Sequence, residues 1–126
     1  MSLFRINVVA KNPKDEARAT DRIEVLVDTG SELTWLPAAL LRSAGIEPRR
    51  ERTFTTATGA PVRRTVGYAV LEAEGHETID EVVFGESGDL TLLGVRTLEG
   101  FGVVVDPLGH RLVAVSTIAA GSQNES

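Results

Sequence analysis

Apolar residues in this chain recur mostly at every second position, in short segments that Gly, Pro, Asn or Asp interrupt. A period of two is that of a β-strand with one buried face, whereas a helix repeats about every 3.6 residues. Clear examples are residues 3–9 and 22–27. The sequence therefore predicts an all-β fold with one or two short helices.

Turn-forming residues locate a hairpin and a helix. Predicted strands over 53–56 and 62–73 flank Ala57-Thr58-Gly59-Ala60-Pro61, which indicates a β-hairpin with a Gly-containing tip. Pro37 and Gly45 bracket a predicted short helix, because Pro favours the start of a helix and Gly its end. The remaining predictions are a charged loop over 11–21, strands over 78–84 and 90–93, a helix over 95–99, and paired strands over 102–105 and 111–115.

The composition argues against binding to nucleic acid, membranes or metal ions. The 126 residues carry a net charge of −5 without a long basic run, so neither nucleic acid nor a membrane is an expected partner. There are no cysteines, and the histidines at 76 and 110 are far apart, so no metal site is expected. We predict one domain over 1–119 and a loose polar tail over 120–126. The sequence shows no signal-like start, which favours a cytoplasmic protein.

One sequence motif contains a candidate catalytic residue. Asp28-Thr29-Gly30 follows the apolar run 23–27 and precedes a second apolar run, 33–37. A tight Gly turn after a buried strand lets a short acidic side chain point out of the end of the sheet, where the Thr and Gly amides can hydrogen-bond the carboxylate. Asp28 is therefore a candidate general acid or base that acts on a water molecule.

The surroundings of this motif resemble a known family. Residues 27–37 resemble the active-site segment of aspartic proteases, and Leu92-Leu93-Gly94 is similar to their second signature, two apolar residues and a Gly that open a short helix. The order and separation of the two are similar to those of retropepsins, the single-domain, retroviral-type branch, and most similar to stand-alone bacterial members. The resemblance spans residues 23–115. It implies a retropepsin-like acid protease fold, a closed β-barrel that forms a homodimer.

Peptide hydrolysis by aspartates needs two carboxyl groups that share one proton. This chain supplies one candidate, because no other Asp is followed by Thr-Gly or Ser-Gly. A two-fold homodimer would place Asp28 of each copy at the axis. The resemblance assigns catalysis to Asp28, Thr29 and Gly30, with Thr29 contacting its counterpart across the axis. The chain-terminal segments 2–8 and 112–118 are the expected interface.

The resemblance also implies an extended polypeptide substrate with apolar side chains at the cut, bound under hairpins that act as flaps. The candidate substrate-binding residues are Ser31, Glu32, Ala57, Thr58, Gly59 and Leu93. No metal or organic cofactor is implied, since two aspartates and a water suffice.

Several other side chains have two interpretations. Ser31 either donates to Asp28, which would favour activity at more acidic pH, or satisfies turn amides. Arg96 either pairs with Glu32 or is a solvated helix charge. Trp35 lies either near the substrate or in the core. The arginines at 49, 50, 52, 63 and 64 are interpreted as solvated, or as selecting acidic substrates.

Two function classes remain open from the sequence. The first is an aspartic endopeptidase of retropepsin type, which the complete Asp28-Thr29-Gly30 favours. The second is a non-proteolytic or self-processing dimeric module that binds peptides on the same fold. An unrelated β-barrel with a chance motif is disfavoured by the second signature and by the hairpin between the two.

Overall fold

Strands make up more than half of the residues that the structure describes. The computed structural model describes residues 4–56 and 58–116. The strands are β1 (Arg5–Asn12), β2 (Asp15–Ala19), β3 (Ile23–Val27), β4 (Thr34–Pro37), β5 (Arg50–Thr55), β6 (Pro61–Ala73), β7 (His76–Gly85), β8 (Leu92–Leu93), β9 (Val103–Asp106) and β10 (Arg111–Ala114), and the helices are α1 (Ala38–Ser43) and α2 (Val95–Phe101). Within this part of the chain the fold is mostly β with two short helices, as predicted.

One sheet contains eight of the strands. Their order is β2-β1-β3-β8-β4-β7-β6-β5, and β9 and β10 form a separate pair. β1 pairs not only with β3 but also with β6, where Ala10 lies opposite Leu71. The pairings of β1, β3, β8, β4, β7 and β6 therefore form a continuous cycle, outside which lie the edge strands β2 and β5.

The two-residue apolar period sets which face of each strand is buried. In β1 the even-numbered residues from Ile6 to Asn12 are buried, and in β3 the odd-numbered residues Ile23, Val25 and Val27 are buried. All of these side chains except the polar Asn12 join residues from β6, β7 and both helices in the main core. Full burial of such an aliphatic side chain contributes about 1.5–3 kcal/mol. A one-residue slip of either strand would expose its whole set, so the register is strongly specified.

The predicted loop over 11–21 is wrong. β1 continues to Asn12 and returns as β2, whose residues are all exposed. The buried Asn12 side chain donates to the carbonyls of Ala44 and Gly45 (3.2 and 3.0 Å) and accepts from the Lys14 amide (2.9 Å). An exposed edge strand needs no apolar alternation, which is why its charged sequence resembled a loop.

The end of α1 is the one that the sequence predicted. Gly45 has φ 74°, a left-handed conformation that favours glycine. Its amide donates to the Arg42 carbonyl (2.8 Å), and the Ile46 amide donates to the Leu41 carbonyl (3.1 Å). This is the Schellman arrangement, which satisfies carbonyls at a helix end. Leu41 is fully buried, and α1 packs against β4 and β7.

The predicted hairpins β5–β6 and β9–β10 are confirmed, and one strand is shorter than predicted. Phe54 of β5 lies opposite Val62 of β6, and Val104 of β9 lies opposite Val113 of β10. The predicted strand over 90–93 contains only the two residues of β8, while Leu90 is exposed. The predicted domain limit at 119, the tail over 120–126, and positions 2, 3, 117 and 118 of the expected interface lie outside the described residues.

Candidate active site

Asp28 lies directly after β3, at the start of a tight turn. Its amide donates to the Leu93 carbonyl (3.0 Å), which fixes the backbone at the end of the strand. The Gly30 amide donates to Asp28 Oδ1 (2.9 Å), and the Ser31 amide donates to the Asp28 carbonyl (3.1 Å). Asp28 is half-buried, whereas Thr29 and Gly30 are exposed. The turn therefore holds a carboxylate in a fixed orientation at the surface of one chain.

The second signature bridges the two strands that flank this turn. β8 is parallel to β3, with Leu26 opposite Leu92 and Val27 opposite Leu93, and it pairs antiparallel with β4 at Trp35. The strand that leads into Asp28 and the strand that follows it are thus both bonded to Leu92-Leu93. Two motifs about 65 residues apart in sequence form one structural unit.

The first amides of α2 bond to the loop that follows Asp28. A helix begins with amides that have no partner inside the helix. Here the Val95 amide donates to the Ser31 carbonyl (2.8 Å), and the Arg96 amide donates to the Glu32 carbonyl (3.1 Å). These bonds anchor the loop over Ser31 and Glu32 to α2, so the helix supports the Asp28 turn.

A line of hydrogen bonds runs from Gly94 to a buried acid. The Gly94 amide donates to Thr34 Oγ1 (3.0 Å), Thr34 and Thr97 share a hydroxyl–hydroxyl bond (2.7 Å), and Thr97 donates to Asp80 Oδ2 (2.9 Å). A hydroxyl has one hydrogen, and that of Thr97 is used on Asp80, so Thr34 is the donor to Thr97. Every bond in the line therefore points toward the carboxylate of Asp80.

The sequence reasoning missed this line. Asp80 is followed by neither Thr-Gly nor Ser-Gly, so no sequence motif marks it as a functional acid. Thr34, Asp80 and Thr97 are buried, and their partners lie 17 to 63 residues away in sequence. The available signal was the presence of polar residues in otherwise apolar buried segments, because a buried polar group needs a partner.

The assignment of Leu93 to substrate binding does not agree with its burial. Leu93 is 0% exposed and belongs to the main core. Successive residues of a strand point to opposite faces, so Leu92 points away from this core, and it is only half-buried. Of the two leucines, Leu92 is the one whose side chain is accessible.

Ser31 and Arg96 each differ from both of their interpretations. The Ser31 hydroxyl donates to the Leu33 carbonyl (2.7 Å), so it is neither bonded to Asp28 nor to a turn amide. Glu32 is exposed, and Arg96 does not pair with it. The Arg96 guanidinium lies instead 3.5 Å from Asp80 Oδ1 and 3.6 Å from Glu81 Oε1.

The tip of the β5–β6 hairpin is exposed. Gly59 has φ 86°, and its amide donates to the Thr56 carbonyl (2.9 Å). Thr58 is exposed and its hydroxyl lies 3.0 Å from that of Thr56. Ala57, which we assigned with Thr58 and Gly59 to substrate binding, lies outside the described residues. A left-handed glycine at this point lets the chain reverse without steric cost.

Trp35 connects this hairpin to the Asp28 region. Its ring packs against Phe54 of β5, with centroids 5.1 Å apart. Both rings are half-buried on a second, smaller apolar cluster of Leu33, Val66 and Val83. Trp35 is therefore part of a core, and the same residue pairs with β8 beside the motif.

The solvated interpretation is wrong for two of the arginines. Arg64 forms two bonds to Asp89, with Nε 2.7 Å from Oδ2 and Nη2 2.9 Å from Oδ1, and both side chains are 17% exposed. The Arg64 guanidinium, together with the Glu86 amide, holds the pKa of the Asp89 carboxyl below its ordinary value. Arg52 is half-buried, with 29% of its side chain exposed, and it bonds to Glu81 (2.9 Å).

One cavity lies apart from the Asp28 turn. A cavity of about 640 Å³ is lined by residues 12–15, 18, 45–49 and 68, none of which belongs to the Asp28 turn. Across the described residues, no group of three or more His, Cys, Asp and Glu is arranged to hold a metal ion. None of the helices in the described part of the chain has the length and apolar character needed to span a membrane.

Comparison with known families agrees with this geometry. A family model described as gag-polyprotein putative aspartyl protease matches residues 19–100, which include the Asp28 turn, the β5–β6 hairpin and the start of α2. No curated protein matches the sequence. The matched region covers more than half of the chain, and it contains both signatures in their observed contact. The chain belongs to the gag-polyprotein putative aspartyl protease family.

Proposed function

We propose that this chain is an aspartic endopeptidase of retropepsin type that hydrolyses peptide bonds as a homodimer. The observation that carries the proposal is the half-buried Asp28 carboxylate at the end of β3, held by the Gly30 amide at 2.9 Å. Its backbone amide donates to the Leu93 carbonyl, which ties the turn to the Leu92-Leu93-Gly94 segment. The family match supports the same reaction class.

In the proposed mechanism, two Asp28 carboxyl groups share one proton, because like charges this close do not both ionise. The ionised carboxylate takes a proton from water, and the water oxygen attacks the scissile carbonyl carbon. The protonated partner donates to the carbonyl oxygen, which gives a tetrahedral diol. Proton transfer to the amide nitrogen then breaks the C–N bond and releases an amine and a carboxylic acid.

The second carboxylate comes from another copy in this proposal, because the sequence contains one Asp-Thr-Gly. A two-fold axis beside the turn would bring Asp28 against its counterpart, with Thr29 as the contact across the axis. The exposed apolar residues Val104, Val113 and Val115 support association through β9 and β10. The cycle of strand pairings supports the closed β-barrel that this fold requires.

The proposed substrate is an extended polypeptide in the groove between two copies, with Ser31 and Glu32 near its main chain and the hairpin tip at Thr58 and Gly59 above it. Leu92, which is half-buried, replaces Leu93 as the apolar contact. The 640 Å³ cavity plays no part in this proposal, because a groove between two copies is incomplete in one chain. No metal or organic cofactor is needed.

The test is cleavage of an unfolded protein by wild type, Asp28→Asn and Asp21→Asn, from acidic to neutral pH, read by mass spectrometry. Asp21 is exposed and lies outside the motif, so its variant is the matched control. We expect cleavage by wild type and Asp21→Asn only. If all three are folded dimers and none cuts, the chain is instead a peptide-binding module on the same fold.

A further inference from the structure

Glu81 is a buried carboxylate that the proposed hydrolysis does not use. Its side chain is 4% exposed and is surrounded by three arginines. Oε2 accepts from Arg50 Nη2 (2.8 Å) and Nε (3.2 Å), Oε1 accepts from Arg52 Nη1 (2.9 Å), and Arg96 Nη1 lies 3.6 Å from Oε1. An unpaired buried charge is strongly destabilising, so the buried Glu81 carboxylate depends on these arginines.

These ion pairs join elements that do not pair through their backbones. Glu81 lies on β7, whereas Arg50 and Arg52 lie on β5, and β6 separates the two strands in the sheet. The side chains of β5 thus reach across β6 to β7. β5 is an edge strand of the candidate flap hairpin, and an edge strand is otherwise held on one side only. Glu81 therefore limits how far the base of the hairpin can move.

The third arginine connects Glu81 to the Asp28 turn. Arg96 is the second residue of α2, and its amide donates to the carbonyl of Glu32 (3.1 Å). Its guanidinium contacts both Glu81 (3.6 Å) and Asp80 (3.5 Å). The backbone of Arg96 is thus bonded to the loop after Asp28, and its side chain contacts Glu81, which also bonds the hairpin strand β5.

An apolar contact lies next to the same ion pairs. Arg52 lies over the Phe54 ring, with 5.6 Å from Cζ to the centroid, and Phe54 packs on Trp35. Trp35 in turn pairs with Leu92 of β8. The hairpin is therefore connected to the strands around Asp28 by two adjacent routes, one charged and one aromatic.

We propose that Glu81 is a positioning residue that couples the β5–β6 hairpin to the Asp28 turn through Arg52 on one side and Arg96 on the other. Movement of the hairpin base then changes the position of α2 and of the loop over Ser31 and Glu32. The consequence for catalysis rests on the proposed function, whereas the coupling itself is a property of the folded chain.

Amide hydrogen exchange tests the coupling without any substrate. Arg52→Gln removes one of the two β5 arginines that bond Glu81, the one that shares Oε1 with Arg96. Arg63→Gln is the matched control, because Arg63 lies on the same hairpin in an exposed pair with Glu51. We expect Arg52→Gln to speed exchange at the Val95 and Arg96 amides by about fivefold or more, a typical lower size for coupling between sites. Arg63→Gln should leave both amides unchanged.

Coupling is reciprocal, so Arg96→Gln tests it in the direction from α2 to the hairpin. Arg96→Gln should speed exchange in β5 by a similar factor. If each variant changes exchange only in its own element, Glu81 merely holds two separate neighbours and the inference is wrong.

Peptide kinetics then separate this inference from the proposed function. In an active enzyme, Arg52→Gln should raise KM about fivefold with a smaller change in kcat, since a displaced hairpin weakens substrate binding. Arg52→Lys, which keeps a positive charge, should restore part of the loss. An inactive wild type with coupled exchange overturns the proposed function alone, whereas an active wild type without coupled exchange overturns only this inference.

Discussion

Gly94 and Leu33 approach so closely that a β-carbon on Gly94 would lie 2.4 Å from the Leu33 carbonyl oxygen. The Glu32 carbonyl oxygen would lie at 2.8 Å. The φ of Gly94 is −93°, which any residue adopts, so the requirement for glycine is close packing and not backbone conformation. The Gly of the second signature is what allows α2 to begin against the loop that follows Asp28.

Gly94→Ala should therefore destabilise the protein. The clashing atoms are backbone atoms that also accept or flank the α2 amides, so they cannot move aside without breaking those bonds. We expect the free energy of unfolding to fall by about 2–3 kcal/mol, in the range of overpacked sites. Urea denaturation measures this change.

Gly102→Asn is a suitable control for that experiment. Gly102 has φ 74° and open space around the position of a β-carbon, and Asn tolerates a left-handed helix end. Its cost should stay below about 1 kcal/mol. A Gly94→Ala protein as stable as this control would contradict the packing argument.

The sequence was sufficient for the features that depend on local chemistry. An apolar strand, Asp-Thr-Gly and a later Leu-Leu-Gly predicted Asp28 at the end of a strand and Gly94 at the start of a helix, and both are found. The α1 stop at Gly45 was predicted for the same reason, because glycine alone adopts its backbone conformation without cost.

Features that depend on distant neighbours were not predicted. Leu92 and Leu93 are chemically identical, and only the register of β8 against β3 decides which one enters the core. Likewise, Glu81 and Asp80 are adjacent acids in the sequence. The arginine and threonine side chains that donate hydrogen bonds to them come from other elements. A single sequence does not specify such contacts.

Thr97→Val should reveal the strength of the hydrogen-bonded line. The change keeps the shape of the buried side chain but removes the donor to Asp80 and the acceptor for Thr34. Leaving buried polar groups without partners costs about 1–3 kcal/mol, so unfolding in urea should become easier by that amount. Thr53→Val, at an exposed position of β5, should stay within about 0.5 kcal/mol of wild type.

Asp89→Asn should produce a pH-dependent loss of stability. The pKa of Asp89 is lowered in the folded chain, chiefly by Arg64, from an ordinary value of 3.8. A lowered pKa stabilises the fold fully above the unfolded value, and this contribution disappears as pH falls through the folded value. Wild type should exceed Asp89→Asn by about 1–2 kcal/mol at pH 7, and the difference should shrink below about pH 4.

Unfolding in urea between pH 7 and pH 2.5 measures that difference. Glu51→Gln is the control. It removes the exposed Glu51–Arg63 pair on the β5–β6 hairpin, which also carries Arg64, and it should change stability little, because exposed pairs contribute about 0–1 kcal/mol. A wild-type advantage that persists unchanged at the lowest pH would show that the Asp89 charge is not its source.

Mixing wild type with Asp28→Asn tests whether the active site belongs to two chains. If each dimer needs both carboxylates, random exchange at equal amounts leaves about one quarter of all dimers fully wild type, so activity should fall to about half of its value before mixing. Glu51→Gln, which keeps Asp28, should cause no loss when mixed in the same way. Unchanged activity after Asp28→Asn is mixed in, with exchange verified by mass spectrometry of differently tagged copies, would mean that a single chain carries the reaction.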